Sequence, residues 1–283
     1  MLSLLLPALL VTLVLVGIHA YFGLEIIRRG IIFTDLAIGQ MAALGTAIAL
    51  LAFDGQYVYL SSLALALLSG LLIGLAARRE VNIEPLIGLL YAFGISAVFL
   101  LLSRSPHGME EIQKLMAYDI LFTPLSDIGR TALLYLGLGA LLWFSRRMQG
   151  LARELAFFLC FAATVTSSVK LAGVLVVFAL LVAPALMATY LFQRHRLLWA
   201  WLLGSGVNVL AIGCSFYLDL PTGYTVVCVQ TLAGLLVGAL VLCWPRARLV
   251  DTASLSVSTA DNSAADHAAP VSRSDAPFSQ MLR

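Results

Sequence analysis

Charge is scarce in this sequence. Only 11% of its 283 residues are Asp, Glu, Lys or Arg, less than half of the roughly 25% found in soluble domains. With a net charge of +2 there is no basic face to track phosphates, which removes nucleic acid from the list of partners. Cysteine is also sparse. Cys160, Cys214, Cys228 and Cys243 stand singly in apolar stretches without a CxxC pair or other metal-ligand spacing, so they read as packing residues. No G-x-x-x-x-G-K-[ST] loop occurs, so the chain does not bind ATP in the P-loop manner and any ATP is used by a partner subunit. The close His, Cys and carboxylate sets of a redox or hydrolytic metal centre are missing. These absences argue against an enzyme and against a cofactor held by this chain.

What the sequence does have is apolar length. Hydrophobic residues make up 61%, well above the roughly 45–50% of soluble domains. About 20 apolar residues span 30 Å of hydrocarbon at 1.5 Å per residue. Windows of that kind run from Leu5 to Ile26, Ile31 to Phe53, Tyr57 to Ala77, Pro85 to Ser103, Ile128 to Phe144, Leu155 to Ser168, Val174 to Phe192, Leu197 to Leu218 and Tyr224 to Trp244. The fold class is therefore all-α, a polytopic transmembrane bundle of about nine spans. The sixth window is short and ends in Thr164, Thr166, Ser167 and Ser168, so a break in it or a merger with the seventh, leaving eight spans, is the alternative to nine. Met1 to Leu10 has no preceding Lys or Arg and no cleavage site, and reads as the start of a retained first helix rather than a signal peptide.

Arginine sorts to alternate loops. Arg28 and Arg29, Arg78 and Arg79, Arg146, Arg147 and Arg153, Arg194 and Arg196, and Arg246 and Arg248 fall on one side. The other side holds Arg104, Lys114, Arg130 and Lys170. Because cytoplasmic loops collect positive charge, this puts the N-terminus outside, the C-terminus in the cytoplasm, and an odd number of spans between them. The transmembrane domain is expected over residues 1–248. Beyond it, residues 249–283 turn to Ser, Ala, Asp, Asn and Pro, a composition too poor in apolar side chains to fold alone, and form a disordered cytoplasmic tail. His267 within it is a solvated residue.

Polar groups inside a span are costly unless paired or facing a cavity, so they are the default candidates for a translocation pathway. His19 and Glu25 lie on the first window, Asp35 and Gln40 on the second, Asn208 on the eighth and Gln230 on the ninth. Hydrogen bonds between helices would account for His19, Asn208 and Gln230. Glu25 is placed to pair with Arg28 and Arg29 near the headgroups. Asp35, a turn inside its helix, is a candidate for the pathway and for metal contact, or for pairing with an arginine. Glycines at Gly70 and Gly74, Gly204 and Gly206, and Gly234 and Gly238 would let helices approach closely.

Three segments, in order along the membrane region, carry a resemblance. Arg29 to Gly45 (RGIIFTDLAIGQMAALG), Val169 to Ala185 (VKLAGVLVVFALLVAPA) and Tyr217 to Gly223 (YLDLPTG) are similar to motifs of the permease family of manganese, zinc and iron ABC importers. That family shows D-A-L-S-H-A-x-x-x-G, V-G-V-L-L-V-x-A-L-L-x-x-P-A and Y-x-x-D-x-P-x-G in the same order. The resemblance implies a permease homodimer in the inner, cytoplasmic membrane of a bacterium, two cytoplasmic ATP-binding subunits, and an extracytoplasmic solute-binding protein that delivers the cargo. It also implies that a short cytoplasmic helix over Ala185 to Arg196, with Ala185, Met187, Tyr190, Arg194 and Arg196, docks on the ATPase; without the resemblance, its arginines are an ordinary positive-inside flank.

The chain departs from that pattern at one point. Anchored on Gly45, the family's histidine falls on Gln40 and its aspartate on Leu36, with Asp35 one residue earlier. Residues i and i+4 share a helical face and can hold a cation together, whereas i and i+5 stand about 140° apart. Gln offers a neutral acceptor, weak for zinc. Either the ion is held elsewhere, with His19, Glu25 or Met41 nearby, or the cargo is a chelated metal. An ion-coupled secondary transporter is the competing class; it predicts internal repeats with broken helices, and no convincing repeat is found.

Overall fold

The computed structural model describes residues 2–79, 82–117 and 120–243. Ten α-helices follow one another: α1 Leu2–Arg29, α2 Thr34–Ala52, α3 Val58–Ala77, α4 Glu84–Leu102, α5 Gly108–Met116, α6 Leu125–Ser145, α7 Leu151–Ala172, α8 Val174–Leu191, α9 Arg196–Leu218 and α10 Thr222–Cys243. Among the described residues nine of these, all but α5, are long and apolar enough to cross a membrane. Each coincides with one of the nine windows read from the sequence. A compact unit comprises residues 1–239; α10 runs four residues into the second unit, 240–283. The expected tail, 249–283, lies outside the described residues.

The sixth window is neither broken nor merged. α7 is continuous for 22 residues, because its hydroxyls turn back on their own helix instead of breaking it. Thr164 donates to Cys160 O at 2.8 Å, Thr166 to Ala162 O at 2.8 Å and Ser168 to Thr164 O at 2.7 Å. This is the usual way for Ser and Thr to remain in an apolar helix. A single residue, Gly173, separates α7 from α8. Its φ of 86° and ψ of 163° belong to a region that only glycine occupies readily.

Helix ends follow local chemistry. After Arg28 and Arg29, Gly30 turns left-handed at φ 72°, and Ile31 N–H bonds Ile26 O while Gly30 N–H bonds Ile27 O. That pair of bonds is a Schellman stop. At least half of the α1, α2, α7 and α8 spans is buried, against a third or less of α3, α4, α6, α9 and α10. The first four form the inner layer. Glycines let backbones meet there: a Cβ on Gly23 of α1 would overlap Leu181 O of α8, and one on Gly70 of α3 would lie 3.0 Å from Phe158 O of α7. Of the glycine pairs noted in the sequence, Gly70 and Gly74 both face α7, whereas Gly204 and Gly234 pack on α8 while Gly206 and Gly238 face open space.

Candidate functional site

Among the described residues the arginine-rich end of α1 is tied to the start of α7. Arg29, closing α1, donates to Glu25 at 2.9 Å and pairs with Glu154 in the first turn of α7, while its guanidinium lies 4.2 Å from the Phe157 ring centroid. Arg28 also bonds Glu25, at 2.6 Å. Glu25 is therefore salt-bridged, as one of its readings expected, with its charge committed to two arginines.

His19 is wholly buried and belongs to a hydrogen-bonded chain that crosses three helices. Its Nδ1 lies 2.7 Å from Leu15 O; a carbonyl only accepts, so Nδ1 carries the proton and Nε2 is left as an acceptor. Ser168 Oγ of α7 sits 3.1 Å from that Nε2 and 2.6 Å from Tyr135 OH of α6. Ser167 Oγ donates to Tyr135 OH at 3.3 Å and to Thr164 O at 2.9 Å. A direction consistent with the His19 tautomer runs from Ser167 to Tyr135, from Tyr135 to Ser168 and from His19 Nδ1 to Leu15 O, the single Ser168 proton being shared between Thr164 O at 2.7 Å and His19 Nε2. Tyr135, Ser167 and Ser168 were not singled out as site residues from the sequence. Their only signal was the hydroxyl cluster that ends α7.

The chain of hydroxyls joins two hollows. Ser167 reaches a cavity of about 250 Å³ with Tyr59, Asp127, Arg130 and Lys170 at the sparsely basic ends of the helices. Asp127 pairs there with Arg130 at 3.6 Å, and Lys170 Nζ lies 5.8 Å from the Tyr59 ring centroid. Tyr135 also lines a larger, apolar groove of about 540 Å³ between α1 and α6.

Asp35 and Gln40 do not converge. Asp35 is 1% exposed in the first turn of α2, and neither carboxylate oxygen has a hydrogen-bond partner; the arginine pairing considered for it does not form. Gln40 is turned to α4, packed on Gly94, with its Oε1 also without a partner. Among the described residues no three or more His, Cys, Asp and Glu side chains gather as a metal-ligand group. Asn208 and Gln230 do meet, Gln230 Nε2 donating to Asn208 Oδ1 at 2.7 Å and to Gly204 O at 2.9 Å, which joins α10 to α9 as a hydrogen bond between spans.

The segment Ala185 to Arg196 is not a separate short helix. Ala185 to Leu191 are the last two turns of α8, after Pro184; residues 192–195 turn, and Arg196 opens α9. Ala185 and Met187 are buried inside the bundle, whereas Tyr190 is 40% exposed and Arg194 and Arg196 are exposed.

Residues 146–241, which hold α7 to α9 and most of α10, match the ABC 3 transport family. No curated protein sequence matches the chain. The fold is shared with solved structures. PsaBC from Streptococcus pneumoniae, solved in complex with a Fab, superposes with a TM-score of 0.65 at 16% identity over 83% of this chain and 90% of that one. An inward-facing conformation of an ABC transporter assigned to the metal-chelate type superposes with a TM-score of 0.63 at 19% identity, covering 84% and 86%.

Proposed function

We propose that the chain is the membrane-spanning permease subunit of an ATP-binding cassette importer whose cargo contains a metal; the match of residues 146–241 to the ABC 3 transport family and the fold shared with the two solved structures support this reading. The observation that carries this reading is the coincidence of the family match with α7 to α10. That stretch holds the Gly173 junction, the α8 end assigned to ATPase docking and the Tyr217 to Gly223 turn. Two cytoplasmic ATP-binding subunits, an extracytoplasmic solute-binding protein and a second permease copy complete the assembly. It sits in the inner membrane with the arginine-rich ends in the cytoplasm, the N-terminus outside and the C-terminus inside.

For the cargo, zinc, manganese or iron as an ion is the first reading, with Asp35 as the charged group on its path. A specific observation favours a chelated metal as the second. Arg130 and Lys170 outnumber Asp127 around the cavity on the external side, so its field attracts a carboxylate-bearing chelate and repels a bare cation.

Uptake of radioactive manganese, zinc and iron, each free and as a citrate chelate, by cells lacking and regaining this chain tests the reading. Accumulation of one cargo that requires both the chain and ATP is the expected result. Accumulation that survives ATP depletion and collapses with the ion gradient would assign a secondary transporter instead.

A further inference from the structure

The groove between α1 and α6 is apolar over most of its lining. It is lined on the α1 side by Gly17 and Tyr21, on the α6 side by Gly139 and Trp143, and closed by Trp201 of α9. Trp201 Nε1–H donates to Gly17 O at 2.8 Å, which holds that wall in place. The two glycines make the hollow: a Cβ on either Gly17 or Gly139 would meet nothing within 4 Å. From Ala132 to Arg146 the groove follows α6 for about 21 Å, more than the roughly 15 Å of one leaflet's hydrocarbon. It is open sideways, for Trp143 is 65% exposed.

The end of the groove is basic. Arg146 lines it and lies 6.0 Å from the Tyr21 ring centroid, and Arg146 also borders the adjoining cavity with Arg28, Arg29 and Arg153. Glu25 and Glu154 engage Arg28 and Arg29. Among the described residues Arg146 and Arg153 have no acidic side chain in salt-bridge range, so the mouth keeps two positive charges. We propose that this groove binds one anionic phospholipid, its acyl chain lying between Gly17 and Gly139 and its phosphate between Arg146 and Arg153. A leaflet-long apolar slot with a basic cytoplasmic mouth is complementary to such a lipid in both length and charge. A zwitterionic lipid would carry its own cation to the arginines. The site is independent of which cargo is moved.

The full-length chain is reconstituted in bilayers of equal parts phosphatidylethanolamine and phosphatidylglycerol, extracted, and analysed for retained lipid by native mass spectrometry. Wild type is expected to retain phosphatidylglycerol in at least fivefold excess over phosphatidylethanolamine. Arg146→Gln with Arg153→Gln brings the two to parity, Arg146→Lys with Arg153→Lys restores the excess, and Gly139→Leu, filling the slot, lowers retention of both. Equal retention by wild type, or an excess that survives the Gln pair, overturns the proposal. So does cross-linking between two copies through Gly139→Cys without retained lipid, which would give the face to a second permease. The arginines lie exposed at helix ends, so their variants stay informative even where Gly139→Leu fails to fold.

Discussion

Gly94 of α4 lies directly against Gln40 of α2, so closely that a Cβ at 94 would stand 2.8 Å from Gln40 Cβ and 3.1 Å from its carbonyl carbon. The residue that takes the place of the resembled family's histidine is thus held by backbone contact from the next helix but one. Gly94→Ala should push these helices apart and cost about 1–3 kcal/mol as overpacking does. Gly88→Ala, on the same helix with nothing within 4 Å, should cost almost nothing. Thermal unfolding of the two variants in detergent checks the contrast, and equal midpoints would show that the contact is slack.

Asp35 carries a buried carboxylate without a partner. A buried charge is expensive in a membrane helix, so Asp35→Asn should raise the unfolding midpoint while lowering metal uptake about tenfold. Stability gained without uptake lost would remove the carboxylate from the pathway. Gln40→His, on a different face, should turn preference toward metals that favour imidazole, read by competition between zinc and manganese in the same uptake assay.

Tyr135→Phe deletes the centre of the hydroxyl chain and leaves the shape intact. Hydrogen bonds between membrane helices average about 0.6 kcal/mol, and two hydroxyl contacts are lost here, Ser167 and Ser168. A loss of about 1 kcal/mol is expected, measurable as a fall of a few degrees in the midpoint. No change would mean that the two serines are satisfied by the Thr164 carbonyl alone.

Docking on the ATPase separates two residues of one helix end. Tyr190→Asp, at an exposed position, should leave the permease in the membrane and sharply weaken co-purification of the ATP-binding subunit. Met187→Asp should instead lower the amount of folded permease, because Met187 is 2% exposed and an unpaired charge inside the bundle costs several kcal/mol. Undiminished co-purification by Tyr190→Asp would take docking away from this segment.

The spans were readable because an apolar run of membrane length leaves little other choice, and the ends of the windows fall within a few residues of the helices. The pairing of Glu25 was readable too, since i+3 and i+4 arginines sit on its own helix. What escaped the sequence depends on how each helix is turned about its axis. Nothing local says that Ser168 of α7 meets both His19 of α1 and Tyr135 of α6, or that Glu154 reaches Arg29. The short helix α5 escaped for another reason: its nine residues are too few to register in a membrane-length window, although Met109, Ile112 and Met116 recur at helical spacing. Polar hydroxyls at the end of α7 suggested a break because their i−4 carbonyl partners are invisible in composition.

The single-residue joint at Gly173 has a mechanical meaning. A Cβ there would come within 2.7 Å of Ala117 Cα and Met116 O, so the end of α5 is seated on the joint and blocks it from stretching. A one-residue connection leaves α8 little room to slide along α7 and makes swinging about the joint its larger freedom. Its 18 residues make an arm of about 27 Å, and a swing of about 10° carries the far end, where Tyr190 stands, through about 5 Å. In the proposed importer, a pull on that end by a docked ATP-binding subunit would reach Gly173 as a twist against α5.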